Sequence, residues 1–587
     1  MVRHPYQRGT SIGVSTRLSN LERGRQQNAM QSQESSAYMR AAASLQRQSA
    51  KEFGRALHCG KKAAAKNKPE LAVGWCRYAA SVAWSANPGF FFCHDIEQLL
   101  AEIGRTYLKS ISAPSASPGP PHRFLHLMST AYETGGHTRV VSRWIETCAQ
   151  HAPLEHHTIL ISMQANEPLP AWLGNSARNT GGEVIKLASG MSWLQMAAEI
   201  RSKALEFDAV VLHVHPNDPL PNIALYDQPR PVLFFSHADY AFSLGTDVAR
   251  VVAEIRTVAH DFSVLYRSPA PRKVLLPVPL LDVAHATLDK ADVRKKLGLP
   301  VNSLIALTIG ELSKFIPIPG CSFPELIRSI CAANSRILVV AVGPSESEPF
   351  PELKRQTGGR FMPVGLVKDP NVLELYYRAA DIFLDSIPVS SITAALDAAR
   401  HGLPVQRLAI PTQSLLWSDD PALDSVLRGA STQDEFVAGV LEWLEWPEDK
   451  RSELGGRFRA AVLEGNCGAS WKSKWLDPAI RALDARCDDQ FPTSLQCTGG
   501  GENPFLVLAG LEWEAGWPTS MLIARATLSA RLPLRMRLLG VLHSIGPLLF
   551  GTADGGAFRT RFLMFITLLS AIVPGKKSTV RKFSRWS

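Results

Sequence analysis

An alternation that starts at residue 123 limits the fold more than any other feature of the chain. The runs "RFLHLMS", "HHTILISMQ", "GGEVIKLA", "FDAVVLHVHP" and "PVLFFSHAD" are short, apolar and bounded by turn residues, and helix-like segments such as "SWLQMAAEIRSKALE" lie between them. Runs of that length read as buried strands, and strands that alternate with helices build a parallel sheet covered on both faces. A second series follows "KVLLPVPL" and comprises "SLIALTIGELSK", "SRILVVAVGP", "GRFMPVGLVKD" and "AADIFLDS". The expectation is an α/β protein with two Rossmann-like domains facing a cleft, with ligand-binding loops at the C-terminal ends of the strands.

The flanks differ in composition. Residues 1–40 are rich in Ser, Gln and Arg and are expected to form a disordered tail. Residues 41–110, with Trp75, Tyr78 and Trp84 in Ala-rich surroundings, read as a helical region for packing or docking. The stretch "ISAPSASPGPPH" makes 111–122 a linker, 123–275 and 276–485 are the two Rossmann-like domains, and 486–587 is a C-terminal extension. The nine cysteines are scattered with no CxxC pair, which argues against a zinc site or disulfide framework and fits a reducing cytoplasm.

The charge is equally uneven. The formal net charge is +10, and from Arg525 onward eleven Lys or Arg face one acid, Asp554, so residues 525–587 alone carry a charge equal to the whole surplus. The middle of the chain is therefore not a nucleic-acid platform. The apolar core of the extension, "FLMFITLLSAIVPG", has 14 residues, short of the roughly 20 that span a bilayer. Helices on the anionic cytoplasmic membrane face fit this pattern. Packing of the same helices on the folded core is the alternative.

The segment "DIFLDSIPVSSITAALDAARHGLPV", Asp381 to Val405, joins a strand end to a helix start. Ser390, Ser391 and Thr393 lie where first-turn N–H groups have no intrahelical partner, which suits a phosphate. Asp397 comes four residues after Thr393, one turn along the same face, and a carboxylate there could accept both hydroxyls of a ribose. An ordinary helix start, with Ser390 as cap and Asp397 favouring the dipole, would use the same residues.

From "IGELSK" through "ILVVAVGP" and "FMPVGLV" to that loop, the order of motifs resembles the donor half of GT-B glycosyltransferases. The likeness is greatest to bacterial family 4-like enzymes and to the O-GlcNAc-transferase-like group, and it covers about Phe124 to Leu483. Many relatives carry two Glu residues eight apart in this loop; here the positions hold Val389 and Asp397, which leaves retaining or inverting stereochemistry open. The resemblance implies that Lys314 reaches the donor diphosphate, although Glu311 stands where many relatives have Arg. It also implies that Gly365 and Leu366 of "PVGLV" offer backbone to the base, and that Gly135 and Gly136 of "ETGGHTR" approach the sugar and phosphates. His137 is a candidate general base, with His237 as its rival, oriented by Asp239. His213 and His215 share a strand face, but no carboxylate-rich motif accompanies them, and the resemblance implies metal-independent transfer without a cofactor.

The implied activity is transfer of a sugar from a nucleotide-sugar donor to a glycan, lipid-linked or protein acceptor, in polysaccharide or glycolipid synthesis. The implied location is the cytoplasm or its membrane face. A non-hydrolysing sugar-nucleotide epimerase and a non-catalytic scaffold of the same fold are the alternatives.

Overall fold

The computed structural model describes residues 12–109, 121–164, 168–267, 271–282, 289–318, 320–345, 350–410, 416–417 and 419–484, with side chains from residue 36 onward. The basic C-terminal extension and residues 111–120 of the expected linker lie outside the described residues. Among the described residues no helix is long and apolar enough to cross a membrane.

Two parallel sheets form the body, as the alternation predicts. The first has β1 (Arg123–Met128), β2 (His156–Ile161), β3 (Val184–Lys186), β4 (Ala209–His213), β5 (Val232–Ser236), β6 (Val251–Glu254) and β7 (Arg272–Leu275), in the order β3-β2-β1-β4-β5-β6-β7. The second has β8 (Leu304–Ile309), β9 (Ile337–Val342), β10 (Phe361–Gly365), β11 (Ile382–Leu384) and β12 (Val405–Gln406), in the order β10-β9-β8-β11-β12. In both sheets the order reverses beside the first strand, which is where a doubly wound sheet opens a crevice at its C-terminal edge.

The N-terminal region differs from the expectation. One helix, α1, runs Ile12–Ala65, so helix begins inside the stretch read as a tail. The physical reason is the lack of any proline between Pro5 and Pro69, so that no helix-breaking ring interrupts the polar run. Tyr38, Ala42, Leu45, Phe53 and Ala56 are buried along its later turns. With α2 (Pro69–Ser85) and α3 (His94–Tyr107) it packs against one face of the first sheet, where Leu125, Leu127, Val210 and Leu212 point. Alternate residues of the same strands, Phe124, Val211 and His213, point to the other face, which is covered by α4 (Gly136–His151).

The chain ends its described course by returning to the first domain. After the helix Glu448–Asn466, Trp471 is fully buried, meets Trp144 of α4 edge-on at 6.0 Å, and donates its indole N–H to the Pro277 carbonyl at 2.8 Å. The contact ties the second half of the chain to the first. Trp471→Ala is expected to destabilise the protein by about 3–5 kcal/mol, the usual cost of emptying a buried aromatic site; chemical denaturation measures it, and a loss below about 1 kcal/mol would mean the return segment is not part of the core.

Candidate functional site

The loops at the C-terminal edges of the two sheets meet. A Cβ on Gly136, at the start of α4, would lie 3.1 Å from the Thr393 methyl group, so the glycine allows the first domain to touch the helix Ile392–Arg400 of the second. Gly135, just before it, has φ +104°, and its Cβ position faces open space. In the second domain the ends of β8, β9 and β10 are drawn together around Gly343, whose amide donates to the Gly365 carbonyl at 2.8 Å. A side chain on Gly343 would overlap the Gly310 carbonyl. Leu366, next to Gly365, is exposed.

Lys314 lies on a short 3-10 turn, Leu312–Phe315, directly after β8. Its Nζ donates to the Ser390 carbonyl at 2.5 Å, so the strand-end lysine and the hydroxyl-rich loop form one unit. Burial lowers the pKa of its ammonium, against the opposing pull of Asp385 and Glu311. Within the loop, the Asp385 carboxylate accepts the amides of Ser386 at 2.9 Å and Ser391 at 2.8 Å. Ser386 Oγ donates to Val389 O and lies 2.7 Å from Ser391 Oγ. Ser391 is thus used to brace the loop just ahead of the helix Ile392–Arg400.

Asp397 has different company from what its spacing suggests. Both of its carboxylate oxygens accept from Arg143 of α4, at 2.8 and 2.9 Å, and Arg400 lies 3.2 Å away. The contacts make an ion pair between the domains, because a residue one turn into the helix faces α4 and not the loop ends. Burial alone would raise its pKa, but the two guanidinium groups hold it below the usual carboxylate value.

On the first domain, His137 and His237 come together with ring centroids 4.3 Å apart. His137 Nε2 donates to the His213 carbonyl at 3.1 Å, while its Nδ1 is buried without a partner, and burial pushes its pKa down to about 4. Asp239 does not orient His237. Its carboxylate is held by Arg256 through contacts of 2.6 and 2.9 Å, the fork geometry of a bidentate pair. His237 instead hydrogen-bonds His213, Nε2 to Nδ1 at 2.8 Å. His215 turns to Thr130 at 3.0 Å, away from His213, and burial lowers its pKa to about 3.

Arg143, His126 and His157 are the residues of this region that pattern reasoning passed over. The signal for the histidines was present: "FLHLM", "HHTILI", "VLHVH" and "FFSH" each place a histidine in or at the end of an apolar strand. Cys148, Glu155 and His157 are the one group among the described residues close enough to share a metal ion. Lys472 Nζ lies 3.0 Å from Glu155 and already supplies the positive charge a cation would bring.

No protein-family profile matches the sequence, and no curated protein matches it. Several solved structures are similar to it at low identity. A mutant of the Thermobaculum terrenum O-GlcNAc transferase is 15% identical with a TM-score of 0.47, over 74% of this chain and 84% of that one. Anabaena Alr3699/HepE in complex with UDP and glucose is 14% identical with a TM-score of 0.46, over 62% of this chain and 100% of that one. WaaG, a glycosyltransferase involved in lipopolysaccharide biosynthesis, is 14% identical with a TM-score of 0.42, over 61% of this chain and 99% of that one. What the cleft does is therefore argued from its residues.

Proposed function

We propose that the protein is a glycosyltransferase that moves a sugar from a nucleotide-sugar donor to an acceptor hydroxyl. The observation that carries this reading is the meeting of Lys314, Ser390 and the Ile392–Arg400 helix start with the Gly135–His137 loop of the opposite domain. A cation and the first-turn amides of a helix suit a diphosphate leaving group, whose charge grows as the sugar bond breaks. The neutral imidazoles of His137 and His237 on the facing domain suit removal of a proton from the attacking hydroxyl. Ser390, Thr393, Gly365 and Leu366 are proposed donor contacts. In this reading Asp397 acts through Arg143, holding the two domains together around the donor.

Incubating the protein with a panel of nucleotide sugars and following them by mass spectrometry tests the reading. Transfer, or slow release of free sugar and nucleoside diphosphate, supports it; isomerised sugar would identify an epimerase, and binding without turnover a scaffold.

The acceptor is proposed to be membrane-borne, on the strength of the basic extension's charge and apolar runs. Full-length protein is expected to float with anionic liposomes and less with neutral ones, in a salt-sensitive way, while a chain ending near Gly516 stays behind. Equal flotation of the two chains would remove the extension from membrane binding.

A further inference from the structure

Four histidines form a continuous hydrogen-bonded line through the first domain. His237 Nε2 meets His213 Nδ1 at 2.8 Å, His213 Nε2 meets His126 Nδ1 at 3.0 Å, and His126 Nε2 meets His157 Nδ1 at 2.9 Å. The line ends beside Glu155, whose Oε2 lies 3.4 Å from His157 Nε2, a close contact that is not a hydrogen bond. It crosses the sheet diagonally. His157 of β2 is level with Phe124 of β1, His126 is two residues further along β1, and His213 of β4 is level with Met128, two residues further again. Phe235 of β5 lies one residue beyond Phe234, the partner of Leu212, and His237 follows two residues later. Steps of two keep every side chain on the α4 face, so the line runs from the N-terminal edge of the sheet to the edge where the domains meet. Trp144 seals it from α4, edge-on to His126 at 5.5 Å and to His213 at 5.8 Å.

The polarity of this line follows from its end. Glu155 is a carboxylate: burial would raise its pKa, but the contacts with His157 and Lys472 bring it below the ordinary value. It can only accept, and a lone pair pointed at it would be repelled, so His157 carries its proton on Nε2. Burial lowers the pKa of His126, His157, His213 and His237, so each is neutral at pH 7 and has one N–H. His157 Nδ1 must then accept from His126 Nε2, His126 Nδ1 from His213, and His213 Nδ1 from His237. The last nitrogen, His237 Nδ1, is left with its lone pair at the cleft end.

We propose that Glu155, His157, His126 and His213 are positioning residues that fix the tautomer of His237 and form a relay for the proton it takes from the acceptor hydroxyl. The second half of this proposal rests on the transferase reading. In the step, the acceptor O–H bond breaks and its electron pair attacks the sugar carbon, the bond from that carbon to the diphosphate oxygen breaks with its pair leaving on the diphosphate, and the proton goes to His237 Nδ1. Each imidazole passes its Nε2 proton to the Nδ1 of the next, and His157 gives its own to the Glu155 carboxylate. One proton enters and one is taken up, so no imidazolium remains in the core, where its desolvation would be costly; the protonated Glu155, disfavoured beside Lys472, is short-lived and drives the return shift. The reverse shift, with His237 Nδ1 giving its proton to water or the released diphosphate, restores the starting tautomers. The other ionisable groups along the path are His137 and His215 at the cleft end, and Cys148, His156, Lys472 and Asp477 around Glu155 and His157.

Long-range nitrogen–proton NMR on histidine-labelled full-length protein reads the tautomers directly, with His→Phe variants for assignment. Neutral Nε2–H forms are expected at His157, His126, His213 and His237; an Nδ1–H form at any of the inner three overturns the proposal. In Glu155→Gln the amide can donate or accept, so the same signals should split between both tautomers, and an unchanged spectrum would remove Glu155 from its role. His126→Phe interrupts the line inside the core and is expected to lower turnover about 100-fold with donor affinity unchanged, within the range of a lost general base. A folded His126→Phe variant with normal turnover contradicts the relay. If the wild-type chain transfers no sugar at all, the transferase reading fails while the spectra still decide the polarity of the line.

Discussion

Lys314→Ala is expected to lower turnover about 100-fold, the scale of losing one preorganised stabiliser of transition-state charge. Donor affinity should change much less, because the charge on the leaving diphosphate is greatest in the transition state. The lysine is held by its bond to the Ser390 carbonyl, at the junction of the β8 turn and the loop before the Ile392–Arg400 helix. Removing it also breaks that hydrogen bond, which should cost about 1 kcal/mol of stability. Steady-state kinetics beside calorimetric titration of the nucleoside diphosphate separates the effects. Normal turnover in the folded variant would take Lys314 out of the site.

Arg143→Ala is expected to be strongly destabilising. It leaves Asp397 buried with only Arg400 for company, and breaking a buried pair by removing one partner costs about 3 kcal/mol or more. Removing both partners, Arg143→Ala with Asp397→Ala, should restore part of the loss. The pH dependence has a definite sign. Asp397 has a depressed pKa in the folded protein, so its contribution is complete above its unfolded value of about 3.9 and is lost as pH falls through the folded value. The stability gap between wild type and Arg143→Ala, measured by urea denaturation, should therefore be full at pH 7 and shrink below about pH 4. A gap that is small at pH 7, or that grows in acid, would mean the pair does not hold the domains.

The sequence made some of this architecture legible and hid the rest for physical reasons. Strands β1, β2, β4, β5, β8 and β9 are apolar runs between turns, and their alternation with helices is sufficient to indicate two parallel sheets. Val251–Glu254 and Val405–Gln406 are strands of four and two residues, too short to show a period of their own. Polar composition made the first 40 residues look like a tail, whereas helix needs only the absence of a breaker and a later amphipathic stretch to pack. At the site, Lys314 and the Ser390 loop could be singled out because each follows a predicted strand end. The partner of Asp397 could not, since Arg143 is 254 positions away and no local period links them. For the histidines, each strand could be read alone, and His213 with His215 stood out as a pair. Joining His157, His126, His213 and His237 requires the register between neighbouring strands, which is a property of the sheet and not of any one segment.

The central claim is that the cleft between the sheets holds a nucleoside diphosphate through the loops after β8 and β11. Hydrogen exchange on the full chain, with and without a saturating nucleoside diphosphate, tests it most directly. The account predicts slower exchange in the segments around Gly310–Phe315 and Ser386–Asp397, with the Gly135–His137 loop following when the domains close. Binding that protects neither donor loop, or no binding by any nucleoside diphosphate, would contradict it.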